Sequence, residues 1–151
     1  MKISNHINKY KGIKIHLYWI YREANIHKNQ DMKVYSIPDY HFYLGPPSQT
    51  GMIRIIVYVH KDVKVKLRQD LMCSNLNSVW LEAGLARNKR ILVNNLYREW
   101  RHLGDDSALS IPEQLNDWLE HLQYWEKALD SGFEVVCLGD YNLNHCNWTD
   151  T

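Results

Sequence analysis

Apolar residues in this chain fall mostly in short, β-branched runs, and only once at helical spacing. Met52 to His60 (Met-Ile-Arg-Ile-Ile-Val-Tyr-Val-His) and Val63 to Leu67, separated by Lys61-Asp62, predict consecutive strands. Ser78 to Leu85 and Arg90 to Leu96 repeat the pattern around Ala86-Arg87-Asn88-Lys89, which predicts a hairpin. These four strands are expected to build one sheet. Its inward residues would be Ile53, Ile55, Val57 and Val59 on the first strand and Val79, Leu81, Ile91 and Val93 on the later pair. Earlier, Ile13 to Ile20 carries Lys14 and His16 at alternate positions and predicts another strand, ending at Tyr21-Arg22-Glu23. Between Asn25 and Pro47 the residues Pro38 and Pro46-Pro47 exclude regular structure around them, so a long loop is expected with one short strand near Tyr40 to Tyr43.

Ser110-Ile111-Pro112-Glu113 combines a capping box with Pro in the first turn, and Leu115, Trp118, Leu119, Leu122, Trp125 and Leu129 then recur at helical spacing down to Gly132. A helix over Ser110 to Asp130 follows, expected to bury Leu115, Leu119 and Leu122 against Val135-Val136. The run Glu134-Val135-Val136-Cys137-Leu138 is too short and too β-branched for a helix and reads as a buried, central strand. Gly139 would let the backbone turn after it, presenting Asp140 and Asn142 from one side of an extended segment, where open α/β sheets place their chemistry. The same residues also suit an Asp-x-Asn turn that bonds its own backbone. Strands, helix and strand in this order predict a single α/β (α+β) sandwich.

Composition changes little in this picture. With 151 residues, 45% of them hydrophobic, the chain has one domain's worth of core. A formal charge of +1 gives no strong overall footprint for nucleic acid. Cys73, Cys137 and Cys146 are odd in number and lack zinc-site spacing, so reduced thiols are expected. Neither a signal peptide nor an apolar run of transmembrane length is present, and an intracellular protein, nuclear or cytoplasmic and not secreted, is the expectation. Asn147-Trp148-Thr149 matches a glycosylation acceptor, which without a secretory route carries no weight.

Three features together resemble the endonuclease/exonuclease/phosphatase superfamily: Tyr21-Arg22-Glu23 ending one strand, Tyr97-Arg98 ending another, and Leu138-Gly139-Asp140-Tyr141-Asn142 after the helix. The resemblance covers about residues 20–151 and is closest to the endonuclease domain of non-long-terminal-repeat retrotransposons, which is joined to a reverse transcriptase. It implies an incomplete four-layer sandwich, a phosphodiesterase using Mg²⁺ or Mn²⁺, and DNA as partner. By the same resemblance Glu23 is a metal-binding carboxylate, Asp140 positions or deprotonates the attacking water, Asn142 hydrogen-bonds the scissile phosphate and Tyr97 lies beside it. Those residue types suit the chemistry, because hard oxygen ligands hold Mg²⁺ and a second carboxylate handles a proton.

The pattern also departs from the family's. No residue ahead of Glu23 matches the Asn of the family's first strand, Asn5 and Asn8 lying too near. The 151 residues contain no Ser-Asp-His segment, so the catalytic constellation is incomplete and turnover by this chain alone is not expected. The alternative is a non-catalytic interaction module, or a decayed element, on the same fold. Lys61, Lys64, Lys66 and Arg68, with Arg87, Lys89 and Arg90, are candidate DNA-gripping residues, although a solvated strand face explains them as well.

Overall fold

A computed structural model describes residues 17–18, 24, 26–48, 51–73, 76–85, 88–98 and 111–140. Among them are nine strands and one α-helix: β1 Leu17–Tyr18, β2 Ile26–His27, β3 Tyr40–Leu44, β4 Met52–Ile53, β5 Ile56–His60, β6 Val65–Leu67, β7 Asn77–Gly84, β8 Arg90–Tyr97, α1 Ile111–Asp130 and β9 Glu134–Asp140. The class is mixed α and β. No helix among the described residues is long and apolar enough to cross a membrane.

The strands form sheets of order β1-β5-β3 and β6-β7-β8-β9, with β2 and β4 as a separate pair. In the larger sheet β6, β7 and β8 are antiparallel, whereas β8 and β9 run parallel and are joined through α1, as a parallel connection requires. The two sheets pack face to face through Ile55, Val57 and Val59 on one side and Val79, Leu81 and Tyr97 on the other. The opposite face of β5 is covered by a short 3₁₀ turn, Met32–Tyr35, and its flanks, with Tyr58 Oη donating to the Tyr35 carbonyl at 2.7 Å. On the far side, α1 covers the larger sheet through a cluster of Leu71, Trp80, Leu92 and Ala128.

The expectation that four successive strands share one sheet is corrected here: the chain leaves β5 through a turn at Lys61-Asp62 and enters a second sheet at β6. β1 and β3 occupy both edges of β5, so β6 has no backbone groups there to pair with and joins β7 instead. The predicted strand over Met52 to His60 is also broken at Arg54-Ile55. Ile53 therefore falls in the outer cluster with Ile26, Ile56 and Tyr58, while Ile55, Val57 and Val59 face inward as expected.

The helix forms where the spacing placed it but is rotated. Leu115, Leu119 and Leu122 are exposed, Leu119 at 58%, and the buried positions are Gln114, His121 and Ala128 with Trp118 and Trp125 half-buried beside them. Apolar residues occupy an arc wider than one sheet contact can cover, so only half of it goes in. That half carries the indoles, whose area per residue is the largest available. Trp125 meets Trp80 edge-on at 5.8 Å, and the Arg98 guanidinium lies 5.2 Å from the Trp118 ring. The capping residue Ser110 lies outside the described residues. β9, expected to be central, is the edge of its sheet among the described residues.

Candidate functional site

Parallel pairing of β8 with β9 sets Tyr97 directly beside Asp140 and Leu96 beside Gly139 at the carboxyl ends of both strands. The Arg98 N–H extends the ladder, donating to the Asp140 carbonyl at 2.9 Å. Paired residues of a sheet point to the same face, and Tyr97 belongs to the core between the sheets. Asp140 thus stands on the inter-sheet side at the strand end, half-buried.

Gly139 makes this approach possible. Its φ is +138°, and a Cβ at this position would overlap the Leu96 carbonyl oxygen. The strand continues through it to Asp140 instead of turning, so the glycine serves close contact with β8 in a conformation other residues rarely adopt.

On the other side of Tyr97 the antiparallel register of β7 places Asn77. Asn77, Tyr97 and Asp140 therefore form one row across three strands on one face. Asn77 is buried, and its Oδ1 accepts from the backbone N–H of Arg54 at 3.3 Å, which ties the row to the opposite sheet. Gly45 lies in the same corner, where an added Cβ would come within van der Waals range of Ile55, Val79 and Asn77. Asn95 stands on the same face two residues before Tyr97, between Val79 and Leu138, fully enclosed, and its Nδ2 has no hydrogen-bond partner among the described residues. Sequence reasoning passed over Asn77 and Asn95. The signal was there in the pair Asn94-Asn95 within an otherwise apolar strand, a residue type that strands disfavour.

Of the four predicted site residues, Tyr97 and Asp140 are brought together. Glu23 and Asn142 lie outside the described residues, as does any separation between Glu23 and Asp140. No three His, Cys, Asp or Glu side chains among the described residues gather as metal ligands. Next to Asp140, Arg98 is buried, and desolvation lowers its pKa from the usual arginine value. Cys73 and Cys137 form no disulfide.

The candidate basic residues divide. Lys64 and Lys66 are exposed along β6 while Val65 and Leu67 turn toward the core, the alternation of a solvated strand face. Arg68 instead donates from Nε and Nη2 to Asp70 at 2.8 Å each and from Nη1 to Glu82 at 3.2 Å, and Arg90 donates to Glu82 at 2.8 Å. The Arg68 guanidinium pulls the Asp70 carboxyl down to about 2. These two arginines are committed to carboxylates of their own fold and are poor candidates for holding a phosphate backbone.

No family model, curated protein or solved structure matches this chain.

Proposed function

We propose that the chain is part of a Mg²⁺- or Mn²⁺-dependent phosphodiesterase domain of the endonuclease/exonuclease/phosphatase type, carried on an incomplete four-layer sandwich and directed at DNA, as in retroelement reverse-transcriptase polyproteins. The observation that carries this reading is the register that sets Tyr97 beside Asp140 where two parallel strands end on the inter-sheet face. Carboxyl ends of parallel strands are where sheets of this kind hold ligands.

Asp140 offers a hard carboxylate oxygen beside the hydroxyl-bearing Tyr97, which fits the oxygen preference of Mg²⁺. Glu23 would hold the ion with Asp140 in reach, and when bound the metal supplies charge neutralisation at the phosphoryl oxygens. Asp140 would orient the attacking water and accept its proton, Asn142 would donate to a phosphate oxygen, and Tyr97 would limit how the phosphate lies. Asn77 and Asn95 would hold the row in register from within the core.

The test is Mn²⁺ titration of the isotopically labelled chain by NMR. Amide signals of Gly139, Asp140 and Tyr97 are expected to broaden first, at millimolar metal, and Asp140→Ala should remove the effect. Broadening centred elsewhere, or unchanged by the substitution, overturns the reading. In a plasmid assay the 151 residues are expected not to nick DNA, whereas the same residues joined to a Ser-Asp-His segment should nick it and lose that activity on Asp140→Ala.

A further inference from the structure

Asn77 has two polar ends, and the fold uses one of them. The residue opens β7 directly beside Tyr97, on the face that Val79 and Leu81 continue into the core between the sheets. Its Oδ1 accepts from the backbone N–H of Arg54 at 3.3 Å, in the break between β4 and β5. That contact fixes the amide, because a backbone N–H needs an acceptor and only the oxygen end of a carboxamide is one. Nδ2, with its two N–H donors, is therefore turned away from Arg54.

Among the described residues Nδ2 has no hydrogen-bond partner, although Asn77 is only 6% exposed. It differs in this corner from Asn95. The Nδ2 of Asn95, two residues before Tyr97 on the same face, is sealed without a partner, whereas Nδ2 of Asn77 is not among the sealed atoms and so keeps contact with solvent. If accepting from Arg54 were the whole requirement, Ser or Thr would offer an oxygen without two further donors, and Thr suits a strand better. A donor pair locked in one orientation, at the wet tip of a nearly dry corner, is instead prepared for an acceptor oxygen. Low polarity around it strengthens such a bond, and a charged acceptor gains most.

The register also keeps the row's carboxylate clear of that oxygen. Neighbouring strands lie about 4.8 Å apart, so Asn77 on β7 and Asp140 on β9 stand about 10 Å apart with Tyr97 of β8 between them. At that distance Asp140 neither takes the Asn77 donors for itself nor touches an anion held by them. Because the exposed end of the amide donates only, an amine, ammonium or guanidinium group is refused there.

We propose that Nδ2 of Asn77 donates to a non-bridging phosphate oxygen of a nucleic-acid strand lying across the Asn77–Tyr97–Asp140 row. The identity of the ligand rests on the phosphodiesterase reading, whereas the fixed donor rests on the Arg54 contact alone.

The experiment follows the side-chain NδH₂ signals of the isotopically labelled full chain while a short oligothymidylate is added, the Asn77 pair being identified by its loss in Asn77→Asp. One N–H proton of that pair is expected to move downfield, with the Tyr97 amide shifting alongside. Asn77→Asp keeps an acceptor for Arg54 and loses the donors, and it should weaken binding by at least about ten-fold, the loss of one hydrogen bond to a charged group. Should that variant not fold, the NδH₂ signals of the unmodified chain decide alone. Signals that stay in place while other amides shift, no binding at millimolar oligothymidylate, or equal affinity of a folded Asn77→Asp chain each overturn the inference. If Mn²⁺ broadening still depends on Asp140 in that event, the phosphodiesterase reading outlives it. Conversely, an Asn77 pair that responds to the oligothymidylate while Mn²⁺ broadening ignores Asp140→Ala upholds the donor and overturns the reading.

Discussion

On its packed side α1 is held by Lys127 at Asp70 and by Trp125 against Trp80, whereas on its other side four leucines of the same helix stand in solvent. The sheet beneath shows the same asymmetry. β7 is paired on both sides and its Val79, Trp80 and Leu81 are sealed, while β9 has one partner among the described residues and half-buried side chains. Apolar content therefore does not distinguish the two flanks, since leucines and valines are plentiful on both. What distinguishes them is whether a second backbone and an anchoring side chain are in reach, and this predicts where substitutions will hurt.

The largest effect should come from the one point where the open strand is pressed against its closed neighbour. Gly139→Ala drives a Cβ into the Leu96 carbonyl and forces φ +138° on a residue that avoids it, which should cost on the order of 4 kcal/mol or unfold the chain. Urea denaturation followed by circular dichroism would measure it, and a loss of under about 1 kcal/mol would mean that β9 is held too loosely for the register to matter.

Next comes the comparison within α1 itself. Trp125→Ala, on the closed flank, should destabilise by about 3 kcal/mol, in the range for truncating a packed indole. Leu119→Gln, on the open flank, should change stability by no more than about 0.5 kcal/mol, as for other surface positions. Equal losses for the two in chemical denaturation would restore the rotation of the helix that the leucine spacing suggested.

The last effect, a graded one, is a pH dependence seated on the buried face of the helix. His121 is sealed on the buried face of α1, its Nε2 accepts from Trp125 Nε1 at 2.9 Å, and burial pushes its pKa down to about 4 from the ordinary 6.5. Between those values the unfolded chain takes up a proton that the folded chain refuses. Stability should accordingly be flat above about pH 6.5 and fall as pH drops toward 4, by at most about 3 kcal/mol. Asp70, whose pKa is depressed to about 2, stays ionised in the fold throughout this window and loses its contribution only below it. His121→Gln keeps an acceptor for the indole without titrating, and stability measured from pH 7 to 4 should then lose most of the slope.

Residue spacing alone determined that this chain has β-branched strands, a hairpin around residues 86–89 and a helix ending at Asp130, because these depend on local backbone preference and on side chains a few positions apart. It also marked Asp140, which closes an apolar run at the point where a strand must end, whereas Tyr97 was marked only by the family resemblance. Which strands share a sheet was not legible, since hydrophobic alternation says that a strand has a buried face and nothing about its partner. The break between β5 and β6 came from β1 and β3 having taken both edges. Likewise the helix carries an apolar arc too wide for one contact, and its rotation was decided by Trp80, Asp70 and Arg98, residues remote in sequence that gave the tryptophans and Lys127 better partners than the leucines had. The row of Asn77, Tyr97 and Asp140 is of the same kind. Each residue is ordinary in its own strand, and only the register of three strands, closed at Gly139, puts them side by side.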